Sequence, residues 1–246
     1  MTESIIDAAS AAKSTPASLI TRHRADFASV LPPTMTVDRW VRLAISAVNA
    51  DDKLAEIFRR DRGASLMRAL MRCATLGHEP GGGLFHLVPK GSSIEGWEDY
   101  KGIIQRIQRS ALYSKVIVEA VYEHDEYEFD QNVDERPRHS KAKGDRGKPV
   151  SAYAYAVQFQ GGAISKVAEA TKEMIAASKA KSRGSDNAAS PWNSPAAPMH
   201  RKVAVRELEK FVSTSALNLR VTGGMLVDLT SPAAVDDSYD DFADVA

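Results

Sequence analysis

The chain has 246 residues, 43% of them hydrophobic, which suits a single domain with tails. Its formal net charge is +0, but six acidic residues and no Lys or Arg lie from Asp228 onward, so the first 227 residues carry a net charge of +6. The sequence contains no apolar run long enough to span a membrane, no secretory signal pattern, and no cysteine besides Cys73 for a disulfide, so we expect a cytoplasmic protein.

The N-terminal third predicts an arm followed by helices. Residues 1–34 are rich in Ala, Ser and Thr, which indicates a flexible arm with a short helix near residues 18–27 and a possible contact to another subunit. Asp38 is placed to cap a helix that buries Trp40. The spacing of apolar residues predicts a second helix over 64–76, which Gly77 ends by adopting a left-handed conformation.

The next segment predicts a hairpin and a helix. Gly81-Gly82-Gly83 is followed by no Gly-Lys-Ser/Thr, so we interpret it as a turn and expect no ATP binding. Residues 84–89 and 93–97 predict two short strands. A helix is expected over 99–112, with Ile103 and Ile107 inward and three cations off that apolar stripe, namely Lys101, Arg106 and Arg109.

The second half predicts three strands and two helices. Strands are expected over 116–129, over 151–159 and near 163–168, and helices over 171–181 and 199–212. A Ser/Asn/Pro-rich linker around Trp192 separates the two helices. Between the first two strands, residues 136–148 hold six basic residues and predict an exposed, mobile loop.

Several short motifs occur along this chain in a fixed order. They are Leu76-Gly77-His78-Glu79-Pro80, Leu87-Val88-Pro89, Tyr100-Lys101-Gly102 leading to Arg109-Ser110, Val121-Tyr122-Glu123-His124-Asp125, Ala154-Tyr155-Ala156-Val157, and Trp192 followed by Pro198-Met199 and residues 202–208. In this combination, over roughly residues 35–212, the chain resembles the RecT family. It departs from the family pattern at His78, Ala111 and Val203, where the family usually has Leu, Gly and Thr.

The resemblance implies a fold and a function. The fold would be α+β, a twisted antiparallel sheet packed with helices, containing the β-β-β-α annealing core of RecT and Red beta. The activity would be ATP-independent annealing of single-stranded DNA in phage-type recombination in a bacterial host, without catalysis. No cofactor would be required, and Mg²⁺ is left open. Expected partners are single-stranded DNA, the annealed duplex, further subunits in a ring or helical filament, an exonuclease and a host single-strand binding protein.

Candidate DNA-binding residues are cations that can follow a phosphate backbone and aromatic rings on which bases can stack. Lys202 and Arg206 match the family's Lys-x-x-x-Arg motif, and Lys210 continues their spacing, although spacing alone fits a merely solvated face equally well. Tyr100 could stack on a base or belong to the core, and Trp192 could stack or dock on a neighbouring subunit. The full set is Tyr100, Lys101, Arg106, Arg109, Trp192, Arg201, Lys202, Arg206 and Lys210.

Two other functions stay open at the sequence level. The carboxylates within residues 119–128 could hold Mg²⁺ in a metal-dependent nuclease, although alternation along a strand makes a solvated face the simpler interpretation. A passive DNA-binding accessory protein is the other. The last segment, residues 213–246, is acidic and poor in apolar residues, which predicts a disordered tail.

Overall fold

A computed structural model describes residues 15–193, 196–214, 219–222 and 225–228. The chain divides into two compact units, the first ending at Gly102 and the second beginning at Ile103. Both combine helices with antiparallel strands, so the predicted α+β class is confirmed. The division differs from the single core of residues 35–212 that the sequence suggested, and the boundaries of a functional core stay a prediction.

The first unit contains five helices and a hairpin among its described residues. These are α1 (Pro16–Arg22), α2 (Arg24–Val30), α3 (Val37–Asn49), α4 (Asp52–Asp61), α5 (Ala64–Thr75), β1 (Phe85–Lys90) and β2 (Ser93–Glu98). The hairpin and α5 were predicted closely, and Gly77, with φ 64°, has the left-handed conformation expected after that helix. Helix α4 was not predicted, although Asp51 accepts a capping hydrogen bond from the Lys53 backbone N–H.

Part of the segment predicted to be a loose arm belongs to the core of the first unit. Ile20 of α1 and Phe27 of α2 are completely buried, and the Phe27 ring lies 4.7 Å from the Trp40 ring, centroid to centroid. The cap prediction for α3 was wrong, because Thr36 precedes the helix and the Asp38 carboxylate accepts a 2.8 Å hydrogen bond from Arg24 instead. Residues 1–14 lie outside the described residues.

The second unit is built around a three-stranded antiparallel sheet. Its elements are β3 (Tyr113–Tyr122), β4 (Glu126–Glu128), β5 (Arg138–Ser140), β6 (Pro149–Gln158), β7 (Ala168–Ala170), α7 (Lys172–Ala180), α8 (Ala197–Leu208), a 3₁₀ turn (Glu209–Phe211), β8 (Leu219–Thr222) and β9 (Met225–Asp228). The sheet order is β3-β6-β7, while β4 pairs with β5 and β8 with β9. Helix α6 (Tyr100–Arg109) begins in the first unit and continues into the second.

Alternation along β6 explains the layers of the second unit. Ala152, Ala154 and Ala156 point to one face and are buried, whereas Tyr153 and Tyr155 point to the other. In the ladder Ala152 lies opposite Ala120 of β3 and Ala170 of β7, so the first face consists largely of methyl groups. Helix α8 packs against all three strands. In chain order the three sheet strands precede α8, with the β4–β5 pair inserted between β3 and β6 and with α7 between β7 and α8.

Within the predicted tail, β8 and β9 form a short antiparallel hairpin in which Leu219 pairs with Asp228. The remaining prediction of disorder, from residue 229 to the C-terminus, lies outside the described residues. No helix among the described residues combines the length and the apolar content needed to cross a bilayer.

Candidate nucleic-acid interface

Helix α8 holds three of the predicted DNA-binding cations on a rigid support. Its buried side chains, Ala197, His200, Ala204, Val205 and Leu208, anchor it to the sheet. Arg201 and Lys202 are half-buried, and Arg206, one turn after Lys202, is exposed. Their positions are therefore fixed by the packing of the helix, which lowers the entropy lost when they bind a ligand.

Lys210 does not continue this stripe. The α-helix ends at Leu208, and Lys210 lies in the following 3₁₀ turn, so the helical spacing predicted through residue 212 breaks there. Its ammonium group lies 2.5 Å from Glu207. Neither feature suits a cation that extends a phosphate track along α8.

Helix α6 separates the cations that the sequence grouped together. Lys101 is exposed and Arg109 is half-buried, but Arg106 is buried and forms an ion pair with Glu209. The prediction that Arg106 lies off the apolar stripe was therefore wrong, since its guanidinium joins α6 to the turn after α8. No local signal links two residues 103 positions apart.

The first turn of α6 also differs from the sequence-based expectation about phosphates. The Lys101 backbone N–H donates a 2.9 Å hydrogen bond to the Asp99 carboxylate, which caps the helix. That N–H is therefore not free for a phosphate, whereas the Lys101 side chain is exposed. Tyr100, half-buried, precedes it.

Trp192 and Trp97 differ in their exposure. Trp192 is only 7% exposed and its ring is covered, which in this conformation excludes stacking on a base. Trp97 is 46% exposed and its indole N–H donates a hydrogen bond to Glu95.

The basic segment 136–148 and the acidic segment 119–128 neutralise each other. The Asp125 carboxylate is completely buried and accepts hydrogen bonds from Arg146 at 2.9 and 2.5 Å, from His139 at 2.9 Å, and from two backbone N–H groups at 3.0 Å. Lys141 pairs with Glu119 at 2.9 Å and Arg138 with Glu128 at 3.2 Å. Instead of a mobile loop, the basic segment supplies β5 and an anchored return to β6.

An aromatic cluster lies beside this carboxylate. The rings of Tyr127 and Tyr153 are stacked with centroids 5.5 Å apart, and the His139 ring meets both edge-on. Tyr127 donates a 2.9 Å hydrogen bond to Glu169 of β7, which joins the β4–β5 hairpin to the sheet. Burial and the neighbouring Glu169 carboxylate raise the pKa of Tyr127 far above its ordinary range, so its hydroxyl stays protonated at neutral pH.

Comparison with known proteins identifies the family of the chain. The model of the RecT family matches residues 38–225, which is more than half of the chain. The chain belongs to the RecT family. Protein RecT of Escherichia coli (strain K12) is 27% identical over 219 residues, covering 85% of this chain and 77% of that protein. RecT family members are non-catalytic single-strand annealing proteins that act in recombination, and this chain is one of them.

Membership of the RecT family and the pairing of the acidic side chains both contradict the nuclease hypothesis. Three of the acidic residues that it required, Glu119, Asp125 and Glu128, are paired with lysine, arginine or histidine side chains, and Glu123 accepts the Lys148 backbone N–H at 2.9 Å. Within the ranges that the structure describes, no group of three or more His, Cys, Asp or Glu side chains is arranged to hold a metal ion. The family's function therefore resides in binding and positioning DNA.

Sequence reasoning missed two buried polar pairs of this RecT protein. One is Asp125 with Arg146, where the assumption of a solvated strand face hid the charge pairing. The other joins His78 Nε2 and Glu98 Oε1 at 2.6 Å in the first unit. The only signal for the second pair was a histidine at a position where the family usually has leucine.

Proposed function

We propose that this chain binds single-stranded DNA through phosphate contacts from the cations of α8 in the second unit, Arg201, Lys202 and Arg206. We propose separately that Lys101, in the first unit at the start of α6, contacts a phosphate. The single observation that carries the proposal is that these cations stand on a helix anchored to the sheet by its buried side chains, which holds their backbone in place. Arg109 is a weaker candidate, and Arg106 and Trp192 act in the fold.

Binding of this kind grips the backbone and leaves the base edges to the incoming strand. Phosphate contacts fix the position of a strand but carry no sequence information, so complementarity is tested by base pairing. Annealing then needs neither ATP nor a covalent intermediate. Mg²⁺ acts on the DNA by screening the repulsion between the two strands, and no cofactor is required.

We further propose that the protein works as a homo-oligomer, a ring or a helical filament, in the cytoplasm of a bacterial host. Its partners would be a single strand, the annealed duplex intermediate, an exonuclease that supplies single strands and a host single-strand binding protein. The family resemblance supports these assignments. A passive DNA-binding accessory protein would bind DNA equally well but would not accelerate pairing.

The proposal is tested by replacing cations of α8 and, as controls, cations of the basic segment 136–148. Lys202→Ala and Arg206→Ala should weaken binding to a labelled oligonucleotide by about fivefold to tenfold each and slow the annealing of complementary oligonucleotides. Each should also lower the slope of log affinity against log salt by roughly 0.7, the value for one lost single-strand phosphate contact.

Lys141→Ala and Lys143→Ala are the controls, because each removes one positive charge from the basic segment 136–148. Both should bind nearly as well as the wild type, with circular dichroism unchanged in all four variants. A larger loss in the control pair than in the α8 pair would contradict the proposed interface. A flat salt response would contradict backbone binding altogether, and dependence on ATP would contradict the annealing mechanism.

A further inference from the structure

We infer that the buried pair of His78 and Glu98 is a positioning device that sets the first turn of α6 and thereby holds Lys101 where it meets DNA. The inference rests on the proposed function, because it assumes that Lys101 contacts the strand. His78 and Glu98 themselves are out of reach of DNA, since their side chains are 0% and 6% exposed. They act through the backbone that follows Glu98.

The histidine end of the pair is held from two helices. The backbone carbonyl of His78 accepts a 2.8 Å hydrogen bond from the Trp40 indole N–H of α3 and a 3.3 Å hydrogen bond from the Cys73 thiol of α5. Trp40 and Cys73 belong to the fully buried core of the first unit. The imidazole therefore projects from a fixed point toward the end of β2.

The glutamate end leads directly into the DNA-binding turn. Glu98 is the last residue of β2, Asp99 caps α6, and Lys101 follows two residues later. The Asp99 backbone N–H also donates a 2.9 Å hydrogen bond to the Leu84 carbonyl. A Cβ built on Gly102 would lie 3.0 Å from Glu98 Cγ, so the Glu98 side chain packs against the first turn of α6.

Gly102 shows how closely the first turn of α6 lies against the pair. A Cβ atom at this position would come within 3.1 Å of His78 Nε2, 3.0 Å of Glu98 Cγ and 2.9 Å of the Leu84 carbonyl oxygen. Contacts this short leave no room for a methyl group without movement. The glycine of the Tyr100-Lys101-Gly102 motif is thus explained here by contact with the pair and not by a positive φ.

The polarity of the hydrogen bond follows from what surrounds the imidazole. His78 Nδ1 is buried and has no hydrogen-bond partner among the described residues, whereas Nε2 lies 2.6 Å from Glu98 Oε1, so Nε2 carries the proton that is donated to Glu98. The carboxylate lies against the first turn of α6, where the helix dipole favours a negative charge. A leucine at position 78 has no N–H donor and cannot form this hydrogen bond.

The test uses epistasis with Lys101, measured as affinity for a labelled oligonucleotide and as stability in urea. His78→Leu should weaken binding by about fivefold, whereas His78→Gln, which keeps an N–H donor, should retain most of the affinity. In a Lys101→Ala background, His78→Leu should cause no further loss, because the group that it positions is absent. Glu98→Leu serves the same comparison if His78→Leu fails to fold.

Three outcomes would overturn the inference. Equal losses from His78→Leu with and without Lys101 would show that the pair acts on the fold in general. A His78→Gln protein that binds as weakly as His78→Leu would show that the hydrogen bond is not what matters. Wild-type affinity in Lys101→Ala alone would remove the proposed DNA contact, a failure of the proposed function that is recognisable before the pair is tested.

Discussion

The Asp125 carboxylate binds the acidic segment 119–128 to the basic segment 136–148 in the second unit. It is completely buried, yet five hydrogen bonds from Arg146, His139 and two backbone N–H groups satisfy it. The Arg146 guanidinium, which also lies 4.0 Å from the centre of the Tyr122 ring, lowers the pKa of Asp125 far below its usual range. A buried pair of this kind stabilises only as long as both partners are present.

Replacing Asp125 with Asn should lower the free energy of unfolding at neutral pH by about 2 kcal/mol. A broken buried pair costs about 3 to 5 kcal/mol, and we reduce that figure because Arg146 is partly exposed and screened by solvent. Urea unfolding followed by circular dichroism measures the change. Glu126→Gln, which alters an exposed carboxylate in the same segment, is the control and should change stability little.

The same substitution has a defined pH dependence. The pKa of Asp125 is lowered on folding from an ordinary value of 3.8, so its contribution is fully present above that value and is lost as the pH falls below it. The stability difference between wild type and Asp125→Asn should therefore be constant from about pH 5 to 7 and shrink toward pH 3. A difference that grows on acidification would contradict the ion-pair explanation.

At the scale of single elements, the contact between α8 and the alanine face determines where the DNA-binding cations lie. Ala154 of β6 is completely buried between Val118 of β3 and Ala168 of β7 in the ladder. Sheet packing at this position leaves room for a methyl group and little more, since protein interiors are packed as densely as organic crystals. A larger side chain there must move the helix.

Ala154→Leu should lower the free energy of unfolding by about 1 to 3 kcal/mol, the usual cost of overpacking a core. It should also weaken single-strand binding, because the displaced helix carries Lys202 and Arg206. Ala163→Leu, at an exposed position after β6, is the matched control. Affinity equal to that of the wild type, in a variant with the expected loss of stability, would show that the position of α8 does not govern binding.

Elements with a strong local pattern were the ones that the sequence predicted well. The spacing of Leu66, Leu70 and Cys73 predicted helix α5, and all three residues are buried. Two short β-prone runs predicted the β1–β2 hairpin. The role of Arg106 could not be predicted in this way, since its partner Glu209 is brought close only by the fold. The same holds for Asp125, whose neighbours in the sequence suggested a solvated strand.

At the scale of the whole molecule, a net charge of +0 conceals how the charges are used. Acidic side chains of segment 119–128 cancel cations of segment 136–148 inside the second unit. The cations of α8 and Lys101 are the ones that we propose for contacts with a strand, while the C-terminal segment from Asp228 onward holds six acidic residues and no lysine or arginine. We propose that this acidic segment competes with DNA for the basic residues of the same chain.

Truncation after Asp228 tests this competition. The cut keeps the β8–β9 hairpin, which ends at Asp228, and removes five aspartates and no lysine or arginine, taking the net charge from +0 to +5. The shortened protein should bind single strands more tightly at low salt and discriminate less against duplex, and the difference should fade as salt screens the tail. A full-length variant with those five aspartates changed to asparagine is the control for charge without loss of length, and it should behave like the truncation. Unchanged affinity at low salt in both would contradict autoinhibition and leave the tail a role in solubility or in docking a host protein.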